Sequence, residues 1–316
     1  MKCIYPVLPE LVKDASGDTG KFAITPGMIH FFAKIANLSQ VFIKVPKDFQ
    51  KKAFKIQSYD GQTFQSVLYT PDTAGDRAPC LIYYPGGGFV VGAYPYMHTI
   101  AMMYGRNAKC KVLFVNYRLA NAPCYTAAIE DAYAALKYVW DNAEALGIDK
   151  GRIAVAGDSA GATLATVVSM MARDRRKTDG NGPKVKFQMM MYPMTACCPQ
   201  TWSREHFTNT PGINSEWAKV FVGEALKNGM PEKREYIEPL KNQNFEGIPA
   251  AYIETEEFCP LRDEGNLYAE KMSAHGVSVI HNPVKGTFHA FDSSLKRDVV
   301  QKMIAYRSEI LKKGLL

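Results

Sequence analysis

The run "RIAVAGDSAGATLA" sets Ser159 between Gly157 and Gly161, directly after a short apolar run and directly before a helical pattern. Gly-x-Ser-x-Gly in that strand–turn–helix context is the signature of a nucleophile elbow. The turn is tight enough that its flanking positions must be very small, and Gly157, Ala160, Gly161 and Ala162 meet that demand. A helix beginning just behind the serine also turns backbone N–H groups toward any oxyanion that develops there. The competing explanation is that small residues only ease strand–helix packing; the position after a buried strand favours the elbow.

A second cluster, "YYPGGGFVVG", follows another apolar run. Three consecutive glycines, Gly86 to Gly88, carry an entropic cost that a glycine-specific geometry must offset. A dinucleotide fingerprint would need glycine at position 91, where Val91 stands, and the Gly-Lys-Ser or Gly-Lys-Thr of a phosphate loop never occurs. What remains is a loop whose free N–H groups face the serine. Each such donor is worth about 2.7–4 kcal/mol of transition-state stabilisation. A serine nucleophile also needs a base. In the order serine, acid, histidine that such folds keep, His206, His275, His281 and His289 are available. His206 lies in an irregular insertion, His275 beside the helix stop Gly276, and His281 at the end of a strand pattern. His289, in "KGTFHAF", follows the last strand in a glycine-containing loop and is the expected base.

These residues need a scaffold. "AFKIQSYDGQTFQSVLYT" alternates around an Asp-Gly turn and reads as a hairpin. "PCLIYYP", "CKVLFVNYRL", "GRIAVAG", "VKFQMMMYP", "PAAYIET" and "VSVIHNP" are short continuous apolar runs, as buried parallel strands are. Helical patterns such as "AIEDAYAALKYVWDNAEAL" and "GNLYAEKMSAHG" lie between them. Strand alternating with helix specifies an α/β fold with a mostly parallel sheet. Residues 195–235 break the rhythm and are long for a connection. They read as a cap insertion, residues 1–50 with the helix "GMIHFFAKIANL" as the N-terminal part of the cap, and 51–194 with 236–316 as the core.

Taken in order, "PGGGF", "NYRLANAPCYTAAIEDAYAAL", "GDSAG", "CPLRDEG" and "HAF" resemble the hormone-sensitive-lipase-like branch of the α/β-hydrolases over roughly residues 60–310. The resemblance implies an eight-stranded α/β-hydrolase sheet flanked by helices, with a helical cap. It implies a serine carboxylesterase acting on short acyl esters, with no cofactor and no metal. It also implies an oxyanion hole made by the N–H groups of Gly86, Gly87 and Ala160. Two positions depart from the family pattern. Pro85 replaces the histidine that braces the glycine loop, and Cys259 stands where the triad acid belongs.

A neutral thiol is a weak hydrogen-bond partner, so a substitute carboxylate is sought nearby. Asp263 lies one helical turn beyond Cys259, and its other role would be a helix N-terminal cap. Glu257, two residues before Cys259, falls on the same side of an extended chain. Glu254 and Glu256 point the other way, and Asp292 follows the histidine closely. Asp263 is placed first and Glu257 second. Phe31, Phe32, Trp202, Phe207 and Trp217 are candidates for an acyl pocket.

The bulk properties exclude several classes. The 316 residues are 47% apolar, enough for one large core. The net charge of +7 comes from scattered basic residues without a nucleic-acid-binding motif, so no nucleic-acid partner is expected. Seven cysteines without metal spacing fit a reducing compartment, and no apolar run is of membrane-spanning length. The expectation is a cytoplasmic protein with a small-molecule ester substrate, for which a homodimer is compatible but unspecified. The rival classes are a ligand-binding protein on a degenerate hydrolase fold, and an amidase or peptidase using the same machinery.

Overall fold

A computed structural model describes residues 4–16, 23–120 and 124–316; part of the N-terminal segment and of the "NYRLANAPCY" stretch therefore lies outside the described residues. Eight strands form one sheet: β1 (Phe49–Gln57), β2 (Thr63–Pro71), β3 (Ala78–Tyr84), β4 (Lys111–Asn116), β5 (Ile148–Asp158), β6 (Phe187–Met191), β7 (Ala250–Phe258) and β8 (Val279–Phe288). Their spatial order is β1-β2-β4-β3-β5-β6-β7-β8. β2 runs antiparallel to both its neighbours, as a hairpin partner must, and every other pairing is parallel. The central strands are buried along nearly their whole length, which is why they read as unbroken apolar runs.

Helices flank the sheet. α1 (Pro26–Ser39) precedes β1, and α2 (Pro95–Ala108) follows β3. α3 (Tyr125–Asp141) leads into β5, and α4 (Ala160–Asp179) leaves it. α5 (Trp202–His206) and α6 (Ser215–Leu226) occupy the connection between β6 and β7. α7 (Arg262–Ala274) joins β7 to β8, and α8 (Asp298–Gly314) closes the chain. α2 packs with α8, and α3 with α4. The Phe32 and Trp217 rings, 6.4 Å apart, bring α1 against α6. Among the described residues no helix is long and apolar enough to cross a membrane.

Candidate active site

The elbow forms because β5 hands directly over to α4. Ser159 sits between them at φ 53° and ψ −121°, a strained conformation for a residue with a side chain. It holds because the neighbours leave no other path. A Cβ on Gly161 would lie 2.0 Å from the Tyr84 carbonyl oxygen, and one on Gly157 2.3 Å from Gly161. The Ser159 N–H donates to Met191 O at 2.9 Å, locking the turn onto β6.

His289, immediately after β8, lies with Nε2 3.0 Å from Ser159 Oγ. Its ring is edge-on to Tyr192, centroids 4.8 Å apart. The other candidate histidines are elsewhere. His206 stacks on Trp202 at the surface, the His275 Nδ1 is 2.8 Å from the Lys271 carbonyl, and the His281 Nε2 is 3.1 Å from Asn266. Burial pulls the His289 pKa down to about 3, and the nearby Arg204 guanidinium pushes the same way. The ring is therefore neutral at ordinary pH. For Nε2 to accept the serine proton, Nδ1 must carry the ring hydrogen.

The group facing that hydrogen is Cys259, whose Sγ is 3.2 Å from Nδ1 and also accepts from the Leu261 N–H at 3.4 Å. Burial, reinforced by Glu256, holds the thiol well above its ordinary pKa, so it stays protonated. Neither substitute carboxylate reaches the histidine. Asp263 instead accepts from the Ser203 N–H at 2.8 Å and from Arg262 Nε at 2.7 Å, tying the first turn of α7 to α5. Glu257 accepts from the Gly286 N–H at 2.7 Å. The same-side argument for Glu257 breaks because the β7–β8 register shifts between Glu256 and Phe258. A turn that bonds the Cys259 N–H to the Glu256 carbonyl at 3.2 Å then ends the strand's alternation.

In the glycine loop, Gly86 lies against the buried Asp158, where a Cβ would come 2.5 Å from the carboxyl, and it is not among the residues that border the pocket at Ser159. Gly87, Gly88 and Ala160 are among the residues that border the pocket at Ser159. Asp158 accepts from the Tyr83 hydroxyl at 2.6 Å, and burial lifts its pKa to about 7. The loop has a brace in place of the family histidine: the Tyr117 hydroxyl donates to the Pro85 carbonyl at 2.8 Å. Tyr117 is held in turn by its neighbour, because Arg118 clasps the buried Asp131 of α3 through Nε at 2.9 Å and Nη2 at 2.7 Å. The "NYRL…DA" segment is thus the clamp of the glycine loop.

The pocket in front of Ser159 is a cavity of about 160 Å³. Phe89, Tyr94, Tyr96, Met194, Phe221 and Val222 give it an apolar wall. None of Phe31, Phe32, Trp202, Phe207 and Trp217 borders it. Those rings pack on one another, as Trp202 on Phe207 at 5.3 Å. On α6, Ala218, Phe221 and Val222 form the stripe that faces the serine, which places Trp217 at its margin.

A serine–histidine pair on an elbow at the carboxyl end of a mostly parallel sheet defines the α/β hydrolase class. Residues 81–293 match the family model described as alpha/beta hydrolase fold. The chain is 36% identical over 226 residues to carboxylesterase NlhH of Mycobacterium tuberculosis, covering 70% of this chain and 69% of that one. It is 36% identical to esterase LipI of the same organism over 222 residues, 68% of this chain and 67% of the relative. Among solved structures, a bacterial heroin esterase superposes with a TM-score of 0.85 at 28% identity, covering 98% of both chains. The thermophilic carboxylesterase EstE1 gives 0.81 at 33%, over 93% of this chain and 99% of that one. The chain belongs to this hormone-sensitive-lipase-like branch of the α/β hydrolases, among homologues that are carboxylic ester hydrolases.

Proposed function

We propose that the protein is a serine carboxylesterase that cleaves short-chain acyl esters through an acyl-enzyme. The observation that carries the reading is the 3.0 Å Ser159–His289 contact at the floor of a small apolar pocket. His289 Nε2 takes the hydroxyl proton as Ser159 Oγ attacks the ester carbonyl. The oxyanion rests on the N–H groups of Gly87, Gly88 and Ala160, a set shifted by one glycine from Gly86 and Gly87. His289 then protonates the leaving alcohol, activates a water, and the acyl group leaves as the acid. Cys259 accepts the Nδ1 hydrogen throughout. α1, α5 and α6 act as the cap over the site, and the cavity is small beside the roughly 300–1,000 Å³ of pockets for drug-sized ligands. That favours acetyl to butyryl groups.

The test is a series of chromogenic esters of increasing acyl length, run beside a fluorophosphonate probe. Rates should peak between acetate and butyrate, the probe should mark Ser159, and Ser159→Ala should lose both labelling and turnover. Hydrolysis surviving in Ser159→Ala would refute the site, and a maximum at long chains would refute the substrate class.

A further inference from the structure

Glu256, near the end of β7, is a buried acid that none of the steps above uses. It is fully buried, its carboxyl oxygens have no charged or backbone donor among the described residues, and what the carboxyl meets is the acid Glu254. An unpaired buried polar group is costly, so its retention calls for an explanation. Its neighbours supply one. The strand-ending turn, with the Cys259 N–H on the Glu256 carbonyl at 3.2 Å, folds Cys259 back beside it. Cys259 in turn is the residue against His289 Nδ1. Its sulfur receives the Leu261 N–H and faces the imidazole, and among the described residues no carboxylate is bonded to the ring.

We infer, on the basis of the esterase reading above, that Glu256 is a positioning residue for His289, acting from behind Cys259: its ionised carboxylate stabilises the imidazolium that forms when His289 takes the Ser159 proton. No proton reaches Glu256 in that step. The serine proton moves to Nε2, the Nδ1 hydrogen stays on the ring toward Sγ, and Glu256 acts only through its charge. Its protonation is set beforehand by exchange with solvent.

The surroundings decide when that charge is present. From its own strand Glu256 meets Glu254 and, beyond it, Tyr252; the turn after β8 contributes Asp292, α8 contributes Arg307, and the loop after β7 contributes Cys259. Arg307 is already shared between Glu254 and Asp292, and also meets Tyr104 of α2. One guanidinium thus faces three carboxyls. Burial first, and Glu254 next, hold the Glu256 carboxyl well above the ordinary range. An acid whose pKa is raised ionises only as the pH climbs, so the supporting charge appears on the alkaline side and turnover should rise with it.

The experiment measures kcat and KM from mildly acidic to alkaline pH for four full-length proteins: wild type, Glu256→Gln, Cys259→Asp, and Cys259→Asp with Glu256→Gln. Wild type should show an alkaline rise in kcat. Glu256→Gln should lose that rise and fall about 10- to 100-fold at high pH with KM little changed, less than the roughly 10⁴-fold seen when a directly bonded acid is removed. With Asp at position 259 touching the imidazole, Glu256→Gln should change kcat less than about threefold. If the glutamine variant misfolds, Glu256→Met of similar volume replaces it. An unchanged profile in Glu256→Gln, or an equal loss in both cysteine and aspartate backgrounds, would overturn the inference. Absence of ester turnover and of Ser159 labelling in wild type would instead overturn the esterase reading on which it rests.

Discussion

The pairing of Ser159 with His289, 3.0 Å apart, is legible in the sequence because backbone punctuation marks both positions: an elbow needs tiny residues at fixed offsets, and a histidine after the last strand sits in a loop. A substitute acid is not legible: Asp263 is one helical turn from Cys259 but bonds to Ser203, and Glu257 rests on strand parity alone. Period-two alternation holds only while the strand lasts, and the turn from Glu256 to Cys259 ends it before the critical residue. The proposal of Gly87 and Gly88 rather than Gly86 as oxyanion donors turns on a neighbouring buried acid. Asp158, buried between Gly157 and the nucleophile, accepts from the Tyr83 hydroxyl and packs against Gly86. A charged residue inside an otherwise apolar elbow is the signal that would have exposed this. The two carboxylates first nominated as substitutes are committed elsewhere, which sets an expectation. Asp263→Asn and Glu257→Gln should keep kcat within about threefold of wild type. Asp263→Asn should cost about 1 kcal/mol in stability, since its partner is an N–H in the first turn of a short helix. Turnover and denaturant midpoints measured together decide the matter, and a hundredfold fall in kcat would restore Asp263 to the triad.

At the scale of elements, the sheet was readable because parallel strands buried on both faces leave continuous apolar runs, and because Asp60-Gly61 marks the β1–β2 hairpin. The pocket wall was not, since aromatic type alone does not say which face of a helix turns inward. On α6 the inward stripe is Ala218, Phe221 and Val222, and Phe221 presses onto the glycine loop. A Cβ on Gly88, whose φ is 61°, would come within 2.3 Å of the Phe221 ring. Gly88→Ala must therefore push the loop and α6 apart, adding a positive-φ penalty of about 1 kcal/mol. In the proposed mechanism Gly88 is an oxyanion donor, so a displacement of the loop should fall on the transition state: kcat/KM should drop about 100-fold or more in folded protein. Adding Phe221→Ala, which opens the space, should return part of the loss. A Gly88→Ala enzyme as active as wild type would mean that the loop does not hold the oxyanion.

At the scale of the molecule, the site depends on residues far from it in sequence, and α8 is the chief of them. Arg307, fully buried, reaches from α8 to Glu254 on β7 through Nε at 3.0 Å and Nη2, and to Asp292 in the turn after β8 through Nη1 at 2.6 Å. Asp292 passes the contact on, accepting from the Tyr192 hydroxyl at 2.8 Å, and the Tyr192 ring rests on His289. One guanidinium thereby fixes the strand that delivers Cys259 and the turn that delivers His289, and it also donates to the Tyr104 hydroxyl of α2 at 3.2 Å. Such a buried network adds less stability than its contact distances suggest, because desolvating the charges opposes their attraction. Breaking it on one side is different, since Arg307→Met would leave two carboxylates buried without their counterion. The expected loss is about 3–5 kcal/mol. Neutralising the stranded partners, as Glu254→Gln and Asp292→Asn in the Arg307→Met background, should recover much of that, because the two carboxylates that Arg307 bonded are then uncharged. Urea denaturation of the single and triple variants tests this directly. If Arg307→Met alone shifts stability by less than about 1 kcal/mol, or the triple variant is no better than the single, the C-terminal helix is not the clamp that holds the catalytic loops in register.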